Sequence, residues 1–475
     1  MARILMLNPP WIPGFCRSAR WACKSRGRVQ RHPDWMLIAT AVLEESGHNV
    51  TFIDGPAQNS TQEQLERMIL KSKPDYTVCH TTTPSIYNDI EHARLAKKLT
   101  GCKTILVGPH VTAEPDDTFR IANGAVDTIA RGEYDYTLKA IAEGLEFEHV
   151  LGLSYIEEGV EKHNADRPLL DINELPFPAW HHIKPEWYWD GGKRYPFLTL
   201  ISGRGCQGQC TFCRDTNVMY GHKLRLRDPK KVVDEIEHDY ELFPHIQEIM
   251  FETDTFTADP RHVHDVCQEI LDRELKVTWS CNVRVDLDLN LLPLMKEAGC
   301  RMLMVGFEFG TQEALDAVRK NITLDQSKRL AEEANRLGFI IHGCFMFGAP
   351  GETKKSARET IEFAKSLPLD TVQFSGICTY PGTPLYDWAK IHNHLVPKDW
   401  REWISGDYEQ VTLLDYPNLH KEEIDWLIDQ GLKEFYLRPK HVFKMAKNIR
   451  KIGDVKRKLY GLKSFTESNL LRKKY

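Results

Sequence analysis

Three cysteines, Cys206, Cys210 and Cys213, lie within eight residues on a glycine-rich stretch that follows the apolar run 197–201. Cysteine thiolates are ligands of zinc and of iron–sulfur clusters. Three thiolates are one ligand short of filling a four-coordinate zinc site or of closing a cuboidal 4Fe-4S cluster, so one position stays open for a substrate. A structural zinc knuckle completed by a distant His or Cys is the alternative, although no second pair with zinc-type spacing follows downstream.

The spacing C-x3-C-x2-C of these cysteines resembles the signature of the radical S-adenosylmethionine (radical SAM) enzymes. In that family the three cysteines hold a 4Fe-4S cluster, and the amino and carboxylate groups of S-adenosylmethionine chelate the open iron. One electron from the cluster then cleaves the sulfonium to give a 5'-deoxyadenosyl radical. The resemblance therefore implies that Cys206, Cys210 and Cys213 are metal ligands, and it assigns no further catalytic residue.

Composition limits the class of protein. A chain of 475 residues favours two or three domains, and a net charge of −5 gives no reason to expect a nucleic acid as partner. The first apolar run, 4–7, is too short for a secretory signal, and no run of about 18 apolar residues occurs. Because an oxygen-sensitive cluster is implied, we expect a reducing cytoplasm rather than secretion.

Residues 1–145 alternate between short β-rich runs and helical patterns. Five such strands predict a doubly wound parallel α/β sheet, which binds its ligand beyond the carboxyl ends of the strands. Turn-rich segments follow four of these strands. The predicted strands are 3–7, 49–54, 75–80, 103–107 and 126–130.

No G-x-G-x-x-G follows the first strand, which argues against a dinucleotide site. The Gly-Pro-His turn after the fourth strand and the Gly-Glu after the fifth resemble instead the Rossmann-like cobalamin-binding domain that precedes one branch of the radical SAM family. A flavodoxin-like domain with ordinary loops is the alternative. The resemblance implies these cobalamin contacts: Asn8, Thr81, Thr82, Thr83, Ser85, Gly108, His110, Gly132 and Glu133.

The Asp-x-His-x-x-Gly motif that supplies a histidine ligand to cobalt is absent from this sequence. His80 and His110 lie at strand ends, but neither has that setting. We therefore predict that cobalamin binds with its dimethylbenzimidazole tail displaced into the domain and with no protein histidine on cobalt.

The loop 11–33 is rich in basic residues and contains no acid before position 34. It is either a solvated basic loop or a lid over the upper face of cobalamin that contacts an anionic substrate group, since long loops in compact domains are often binding elements. Its basic residues are Arg17, Arg20, Lys24, Arg26, Arg28 and Arg31.

Residues 146–195 are predicted to connect the two domains. They include a predicted hairpin, 152–162, that turns at Glu158 and Gly159, and a proline-rich passage, 175–180. Proline and bulky apolar residues favour an ordered belt over a flexible linker.

Strands and helices alternate again in 196–391, as in the partial (β/α)6 barrel of radical SAM domains, whose chemistry gathers at the carboxyl ends of the strands. The predicted strands are 197–201, 248–252, 278–282, 302–308, 340–345 and 371–377.

Polar residues follow these strands in the order of the family's motifs, and the resemblance gives each a contact with S-adenosylmethionine. Glu252 and Asp254 would receive the amino group, and Asn282 and Arg284 the methionine carboxylate. Each would by itself be read as a strand-end salt bridge. The remaining expected contacts are Glu308 for the ribose, Gly348 for the adenosyl group and Phe212 for the adenine.

The other cysteines of this region have apolar neighbours. We predict that Cys267, Cys300 and Cys344 are core residues, whereas Cys281 and Cys378 lie near strand ends and are candidates for contact with the substrate.

The C-terminal region, 392–475, is predicted to be helical, and its last part is basic. Residues 436–475 contain thirteen Lys and Arg against two acids, with apolar residues at three- and four-residue steps. This pattern predicts a basic amphipathic helix, either docked on its own protein or lying on an anionic membrane.

The resemblance covers residues 3–391 and is closest to the hopanoid-biosynthesis enzymes linked to cyclitol-ether formation, more distantly to the anaerobic magnesium-protoporphyrin cyclase. It implies hydrogen abstraction from an unactivated carbon, here of a lipid or lipid-linked polyol, leading to rearrangement or ring formation. The alternatives are a radical C-methyltransferase and a cobalamin- and cluster-binding sensor without turnover. An electron donor such as flavodoxin or ferredoxin is implied as partner.

Overall fold

The computed structural model describes residues 1–18, 21–439 and 441. Two parallel sheets dominate them, as the sequence predicts. The first sheet has the strand order β2-β1-β3-β4-β5-β6-β7, in which β1 to β5 are parallel. Its strands are β1 (Arg3–Asn8), β2 (Asn49–Asp54), β3 (Tyr76–His80), β4 (Lys103–Val107), β5 (Thr128–Ala130), β6 (Leu153–Glu157) and β7 (Val160–His163).

Helices cover both faces of the first sheet, because the buried strands are apolar on both sides. Along β1, Leu5 and Leu7 belong to one hydrophobic core, and Ile4 and Met6 belong to the other. The prediction of a doubly wound sheet is confirmed. The helices of this part are Asp34–Glu45, Gln62–Ser72, Ile86–Thr100, Pro115–Ala122 and Asp135–Ala142, with short helices at Gly55–Gln58 and Pro109–Ala113.

The hairpin that the sequence analysis placed in the connector extends the first sheet. Strand β6 pairs antiparallel with β5, and β7 pairs with β6. The hairpin turns at Glu158 and Gly159, as predicted, and both have positive φ, 51° and 81°. The proline-rich passage packs on the first domain, where the Ala179 N–H donates to the Leu37 carbonyl over 3.1 Å.

The second sheet has six parallel strands in sequence order, which confirms the six predicted β/α units. Its strands are β8 (Phe197–Leu200), β9 (Glu248–Phe251), β10 (Trp279–Val283), β11 (Cys300–Glu308), β12 (Ile340–Phe347) and β13 (Thr371–Gly376). The helices that follow are Pro229–Leu242, Pro260–Asp272, Leu292–Glu297, Gln312–Ala317, Leu324–Arg336, Lys354–Ser366, Pro384–Ile391 and Lys421–Tyr436.

The two faces of the second sheet differ in polarity. One face carries Ile249, Phe251 and Cys281, which pack in the main hydrophobic core. The alternate residues lie on the opposite face. Among them, the Ser280 hydroxyl donates a hydrogen bond to the Glu248 carboxylate over 2.6 Å. The strand period of two residues therefore separates an apolar face from a polar interior.

The C-terminal region contains a helix, Lys421–Tyr436, that packs on β13, where the Tyr436 hydroxyl bonds the N–H and the carbonyl of Val372 over 2.9 and 2.8 Å. Between it and the barrel the chain is mostly irregular, apart from a short 3-10 turn at Trp400–Trp403. The predicted basic amphipathic helix lies, apart from residues 436–439 and 441, outside the described residues. None of the helices in the described part of the chain has the length and apolarity that a membrane span requires.

Candidate cofactor sites at two facing sheet edges

The loop with the three cysteines starts and ends at a small antiparallel pair of strands. Gly203–Arg204 follows β8 and pairs with Arg225–Leu226. At the base of the loop Gly205 has φ 85°, and a Cβ there would lie 2.4 Å from the Lys223 carbonyl oxygen. The glycine is therefore required by the close approach of the two ends of the loop.

The cysteines surround a second glycine. The Gly208 N–H donates to the Cys206 sulfur over 3.4 Å, and a Cβ on Gly208 would lie 3.3 Å from the Cys206 sulfur and 3.8 Å from that of Cys210. Burial raises the pKa of Cys210, and it raises that of Cys213 to about 11, with Asp215 and Asp254 adding to the latter shift. Loading the thiols with metal must therefore release protons.

The donor set fits a cluster better than a single zinc ion. Around one zinc ion, with Zn–S bonds of about 2.3 Å, tetrahedral thiolates lie about 3.8 Å apart. Among the described residues, two groups of three ligating atoms lie within 4.8 Å of one another, and neither includes a cysteine. Thiolates spread more widely suit a cluster, in which each binds a separate iron.

The two carboxylates expected to meet the amino group of S-adenosylmethionine have different settings. Asp254 lies near the cysteine loop, since its charge raises the pKa of Cys213 after burial and Asp215. Glu252 lies on the polar face of the sheet, where it forms an ion pair of 3.0 Å with Arg31. The electrostatic coupling thus favours Asp254 for contact near the cluster, and the ion pair with Arg31 makes Glu252 a partner of the basic loop.

Arg284 lies over the cysteine loop, where its Nη1 atom would be 3.1 Å from a Cβ on Gly208. Its guanidinium pairs with Asp286 over 2.9 Å and donates to the Lys320 carbonyl over 3.1 Å. Asn282 donates to the Thr253 carbonyl over 3.2 Å. Both residues therefore lie at the carboxyl edge of β10, where the sequence analysis expected them.

Glu308 ends β11 with φ 65°, an uncommon conformation for a residue with a side chain. Its carboxylate accepts a 2.6 Å hydrogen bond from Lys320, and both side chains are about nine-tenths buried. Lys320 was missed by the sequence analysis. It follows Arg319, whose φ of 53° marks a turn between helices that no local sequence pattern indicated.

The turn after β12 is held by Glu352. Its carboxylate accepts from the N–H of Gly348 over 2.5 Å and of Ala349 over 3.2 Å, and burial raises the pKa of Glu352 to about 7. Gly348 has φ 97°, and its carbonyl accepts from the Tyr416 hydroxyl over 2.9 Å. The turn is thus fixed from inside and from the C-terminal region.

Phe212, next to Cys213, is half-buried against the main hydrophobic core. The neighbouring Thr211 is bonded on both sides, to the Val318 carbonyl over 3.1 Å and to the Leu385 N–H over 3.0 Å. Contact of Phe212 with an adenine ring stays a prediction. Cys281 is buried on the apolar face, away from the polar interior, and Cys378 accepts from Gln410 over 3.0 Å.

The edge of the first sheet is built from hydroxyls and close backbone contacts. The Thr81 N–H and hydroxyl both donate to the Val107 carbonyl, over 2.9 and 2.8 Å. Gly108 has φ 114°, and a Cβ there would lie 2.7 Å from the Thr81 carbonyl oxygen. The Thr82 and Ser85 hydroxyls lie 2.6 Å apart. The residues predicted after β3 and β4 therefore form one continuous surface.

Arg17, from the basic loop, lies at the base of the crevice between β1 and β3. Its Nε atom donates to the Pro9 carbonyl over 2.7 Å, and its Nη1 atom contacts Ser85 over 2.7 Å and Asp89 over 2.6 Å. The side chains of Arg17 and Asp89 are fully buried. Because the strand order reverses between β1 and β3, this crevice is the switch point where such sheets bind ligands. This part of the loop is not solvated.

Several buried polar atoms at this edge have no hydrogen-bond partner among the described residues. Buried polar atoms in folded proteins are usually hydrogen-bonded, so these atoms are available to a polar ligand. Burial lowers the pKa of His80 and of His110 to about 3, which keeps both imidazoles neutral. A neutral, amide-rich molecule such as cobalamin fits this donor and acceptor set. The atoms are Asn8 Oδ1, Arg17 Nη2, His80 Nδ1 and His110 Nε2.

Two further predicted cobalamin contacts have other neighbours. The His110 Nδ1 atom lies 3.3 Å from the Thr83 hydroxyl, and the His110 ring stands edge-on to Trp400 at 4.9 Å. Both carboxylate oxygens of Glu133 are bound by Arg225, over 2.8 and 2.9 Å. Glu133 therefore has partners in the second domain, and its contact with cobalamin stays a prediction.

The edges of the two sheets face each other. A Cβ on Gly382 would lie 3.0 Å from Ala113 in the first domain and 3.0 Å from Val218, which follows the last of the three cysteines. A Cβ on Gly132, after β5, would lie 3.8 Å from the Met219 carbonyl oxygen. The segment that follows the last cysteine therefore packs against the carboxyl edge of the first sheet.

Comparison with known proteins agrees with this arrangement. Residues 200–364 match the model of the radical SAM superfamily, and residues 28–142 match the B12 binding domain. Two solved structures share the fold. The first is the cobalamin-dependent S-adenosylmethionine radical enzyme OxsB with aqua-cobalamin and S-adenosylmethionine bound, at a TM-score of 0.74 and 17% identity, which covers 98% of this chain and 71% of that one. The second is the radical S-adenosylmethionine methyltransferase TsrM of Kitasatospora setae, at a TM-score of 0.70 and 16% identity, which covers 93% of this chain and 90% of that one.

Two relatives match most of the chain. An uncharacterised methyltransferase of Pyrococcus horikoshii is 31% identical over 417 residues, 86% of this chain and 88% of that protein. The anaerobic magnesium-protoporphyrin IX monomethyl ester cyclase of Rubrivivax gelatinosus is 27% identical over 403 residues, 81% and 69% of the two chains. Since both domains match and the first relative aligns along nearly its whole length, this chain belongs to the cobalamin-dependent radical SAM enzymes, which use a 4Fe-4S cluster, S-adenosylmethionine and cobalamin.

Proposed function

We propose that this enzyme is a radical methyltransferase that places a methyl group on an unactivated carbon of a small molecule. The observation that carries the proposal is the 31% identity to a methyltransferase across 86% of the chain, which includes both domains. The sequence alone favoured rearrangement or ring formation on a lipid. Its methyltransferase alternative is now better supported, because relatives named as bacteriochlorophyllide methyltransferases of Chlorobaculum tepidum align as well.

In this proposal Cys206, Cys210 and Cys213 hold the cluster. Arg284 and Asn282 orient the methionine carboxylate, and Asp254 receives the amino group. When bound, the cofactors supply an electron to S-adenosylmethionine and a transferable methyl group. The remaining contacts that we propose at this edge are Phe212, Glu252, Glu308 and Gly348.

On the opposite edge, we propose that cobalamin binds in the crevice where Arg17 lies, with no protein histidine on cobalt. The hydroxyl-rich surface after β3 and β4 would hold its amide side chains, and the neutral His80 and His110 would act as hydrogen-bond partners. The residues proposed for this cradle are Asn8, Thr81, Thr82, Thr83, Ser85, Gly108, His110, Gly132 and Glu133.

We propose that residues 1–145 bind cobalamin and residues 196–391 bind the cluster, with 146–195 as the connector and 392–475 as a helical C-terminal region with a basic amphipathic tail. The hairpin of β6 and β7 belongs structurally with the first part. A flavodoxin or ferredoxin as electron donor, a cytoplasmic location and membrane contact through 436–475 are also proposals. Liposome flotation of the chain with and without 436–475 tests the last, and unchanged flotation removes it.

The reaction is tested with anaerobically reconstituted enzyme, methyl-labelled S-adenosylmethionine, a metabolite extract and a one-electron reductant that reduces both the cluster and cob(II)alamin. Each methylation consumes two molecules of S-adenosylmethionine. One is converted to S-adenosylhomocysteine, and the other is cleaved to 5'-deoxyadenosine and methionine. We expect both nucleoside products in equal amounts and the label in a new compound. Equimolar 5'-deoxyadenosine and product without S-adenosylhomocysteine would contradict methylation.

Ring formation is the second candidate, because the magnesium-protoporphyrin cyclase aligns over 81% of the chain. It predicts 5'-deoxyadenosine and an unlabelled, oxidised or rearranged product. A cofactor-binding sensor without turnover would yield no 5'-deoxyadenosine at all, even with reduced cluster and every extract fraction present.

A further inference from the structure

Two arginines lie at the ends of the cysteine loop, and both form ion pairs with the cobalamin-binding domain. Arg204 and Arg225 are paired residues of the small antiparallel ladder, so the residues between them form a closed loop. Both side chains are at most 9% exposed. Their charges are met by Glu133 and Asp135, which follow β5 in the cobalamin-binding domain.

The contacts of this four-residue clamp are short and partly forked. Arg225 grips Glu133 through both terminal nitrogens, over 2.8 and 2.9 Å. Arg204 reaches Asp135 over 2.9 Å and Glu133 over 3.3 Å. Two cations and two carboxylates balance, and forked arginine–carboxylate pairs restrict geometry as well as adding attraction.

Aromatic packing also holds Arg204 in place. The Arg204 guanidinium lies over the Trp35 ring at 4.3 Å from its centroid. Trp35 in turn stacks on Tyr220 at 3.9 Å, and Tyr220 belongs to the segment that follows the last cysteine. Trp35 belongs to the first domain, so its packing ties both the start and the exit of the cysteine loop to that domain.

We propose that Glu133 and Asp135 are positioning residues for the iron–sulfur ligands, acting through Arg204 and Arg225 to set the shape of the cysteine loop from the cobalamin-binding domain. This role goes beyond the proposed methyl transfer and applies to any reaction that needs both cofactors.

The test compares Glu133→Gln with Asp166→Asn in the full-length, reconstituted protein. Asp166 also pairs with an arginine near the end of β5, Arg131, over 2.9 Å, but its side chain is 86% exposed and it does not touch the cysteine loop. We measure the rate at which a chelator removes iron, the electron paramagnetic resonance spectrum of the reduced cluster before and after S-adenosylmethionine is added, and the unfolding temperature.

For Glu133→Gln we expect iron loss about tenfold faster than in the unchanged protein, as for partners that orient metal ligands. We also expect an altered spectral response to S-adenosylmethionine, while Asp166→Asn matches the unchanged protein in both. A lower unfolding temperature with native iron retention and native spectra would overturn the proposal, because it would show a purely structural tie.

Arg225→Lys provides a second route if Glu133→Gln does not fold. It keeps the charge but cannot form the fork. Faster iron loss and an altered spectrum in this variant support the clamp. Native behaviour in it, at an occupied cluster, overturns the proposal.

Discussion

The two facing edges of this enzyme present different chemistry to their ligands. The edge of the first sheet offers hydroxyls, backbone groups and two neutral imidazoles, and the side chains of its ion pair, Arg17 with Asp89, are fully buried. The edge of the second sheet offers charged groups in pairs, Glu308 with Lys320 and Arg284 with Asp286.

This difference matches the two expected ligands. Cobalamin presents many neutral amides, whereas S-adenosylmethionine presents an ammonium, a carboxylate and a sulfonium. A neutral hydrogen-bonding surface suits the first, and paired charges that can exchange partners suit the second. The comparison makes four predictions, in order of decreasing effect.

Replacing Cys213 by alanine should abolish cluster binding at the second sheet and leave cobalamin binding at the first sheet unchanged. Without a ligand to one iron, the cluster is not retained, so its visible absorbance and all 5'-deoxyadenosine formation fall to background. Cobalamin binding, measured by equilibrium dialysis, should be unchanged. Cys267→Ala, in the hydrophobic core, is the control and should keep its cluster. Loss of cobalamin binding in Cys213→Ala would show that the edges are not independent.

Arg17→Met should destabilise the fold by about 3 to 5 kcal/mol, because the fully buried Asp89 loses its counter-charge. Chemical unfolding measures this loss, and cobalamin affinity should fall while S-adenosylmethionine affinity stays. The matched control is Arg31→Met in the same loop, whose partners Asp190 and Glu252 are 12% and 18% exposed. Its cost should be smaller, because both partners of Arg31 are partly exposed and water can hydrate them in the variant. Equal costs would remove the distinction between the two edges.

Glu352 is an exception on the charged edge, because burial raises its pKa to about 7. An acid whose pKa is higher in the folded protein stabilises the fold most at low pH. Its contribution falls by about 1.4 kcal/mol per pH unit as pH rises from about 4.5 to about 7, and then levels off. Unfolding free energies of the unchanged protein and Glu352→Gln across this window measure the effect. Parallel curves would refute it.

Arg284→Lys should weaken S-adenosylmethionine binding by about 2 kcal/mol, roughly thirtyfold, since lysine keeps the charge but loses the forked donor geometry. Cobalamin affinity should not change. Arg273→Lys is the control, because Arg273 pairs with Asp234 and Glu237 on helices outside the site. Unchanged affinity in Arg284→Lys would place the methionine carboxylate elsewhere.

The sequence predicted the parts of this enzyme that depend on local pattern. The spacing of Cys206, Cys210 and Cys213 indicated the cluster, and the alternation of strand and helix indicated both sheets. Turns such as Gly108 and Gly348 were recognisable because a glycine at a strand end is a local signal. The positions of Asn282 and Arg284 followed from the rule that chemistry gathers at the carboxyl ends of parallel strands.

Tertiary structure alone decided which distant residues meet. Arg17 reaches Asp89 across 72 positions of sequence, Arg31 reaches Glu252 across 221, and Glu133 meets Arg225 across 92. No periodicity encodes such pairs, because ion pairing depends on where the chain brings two side chains together and not on their spacing. The β6–β7 hairpin shows the same division. Its turn at Glu158 and Gly159 was predicted because it depends on the local sequence. Its pairing with β5, which adds it to the first sheet, depends on tertiary packing and was not predicted.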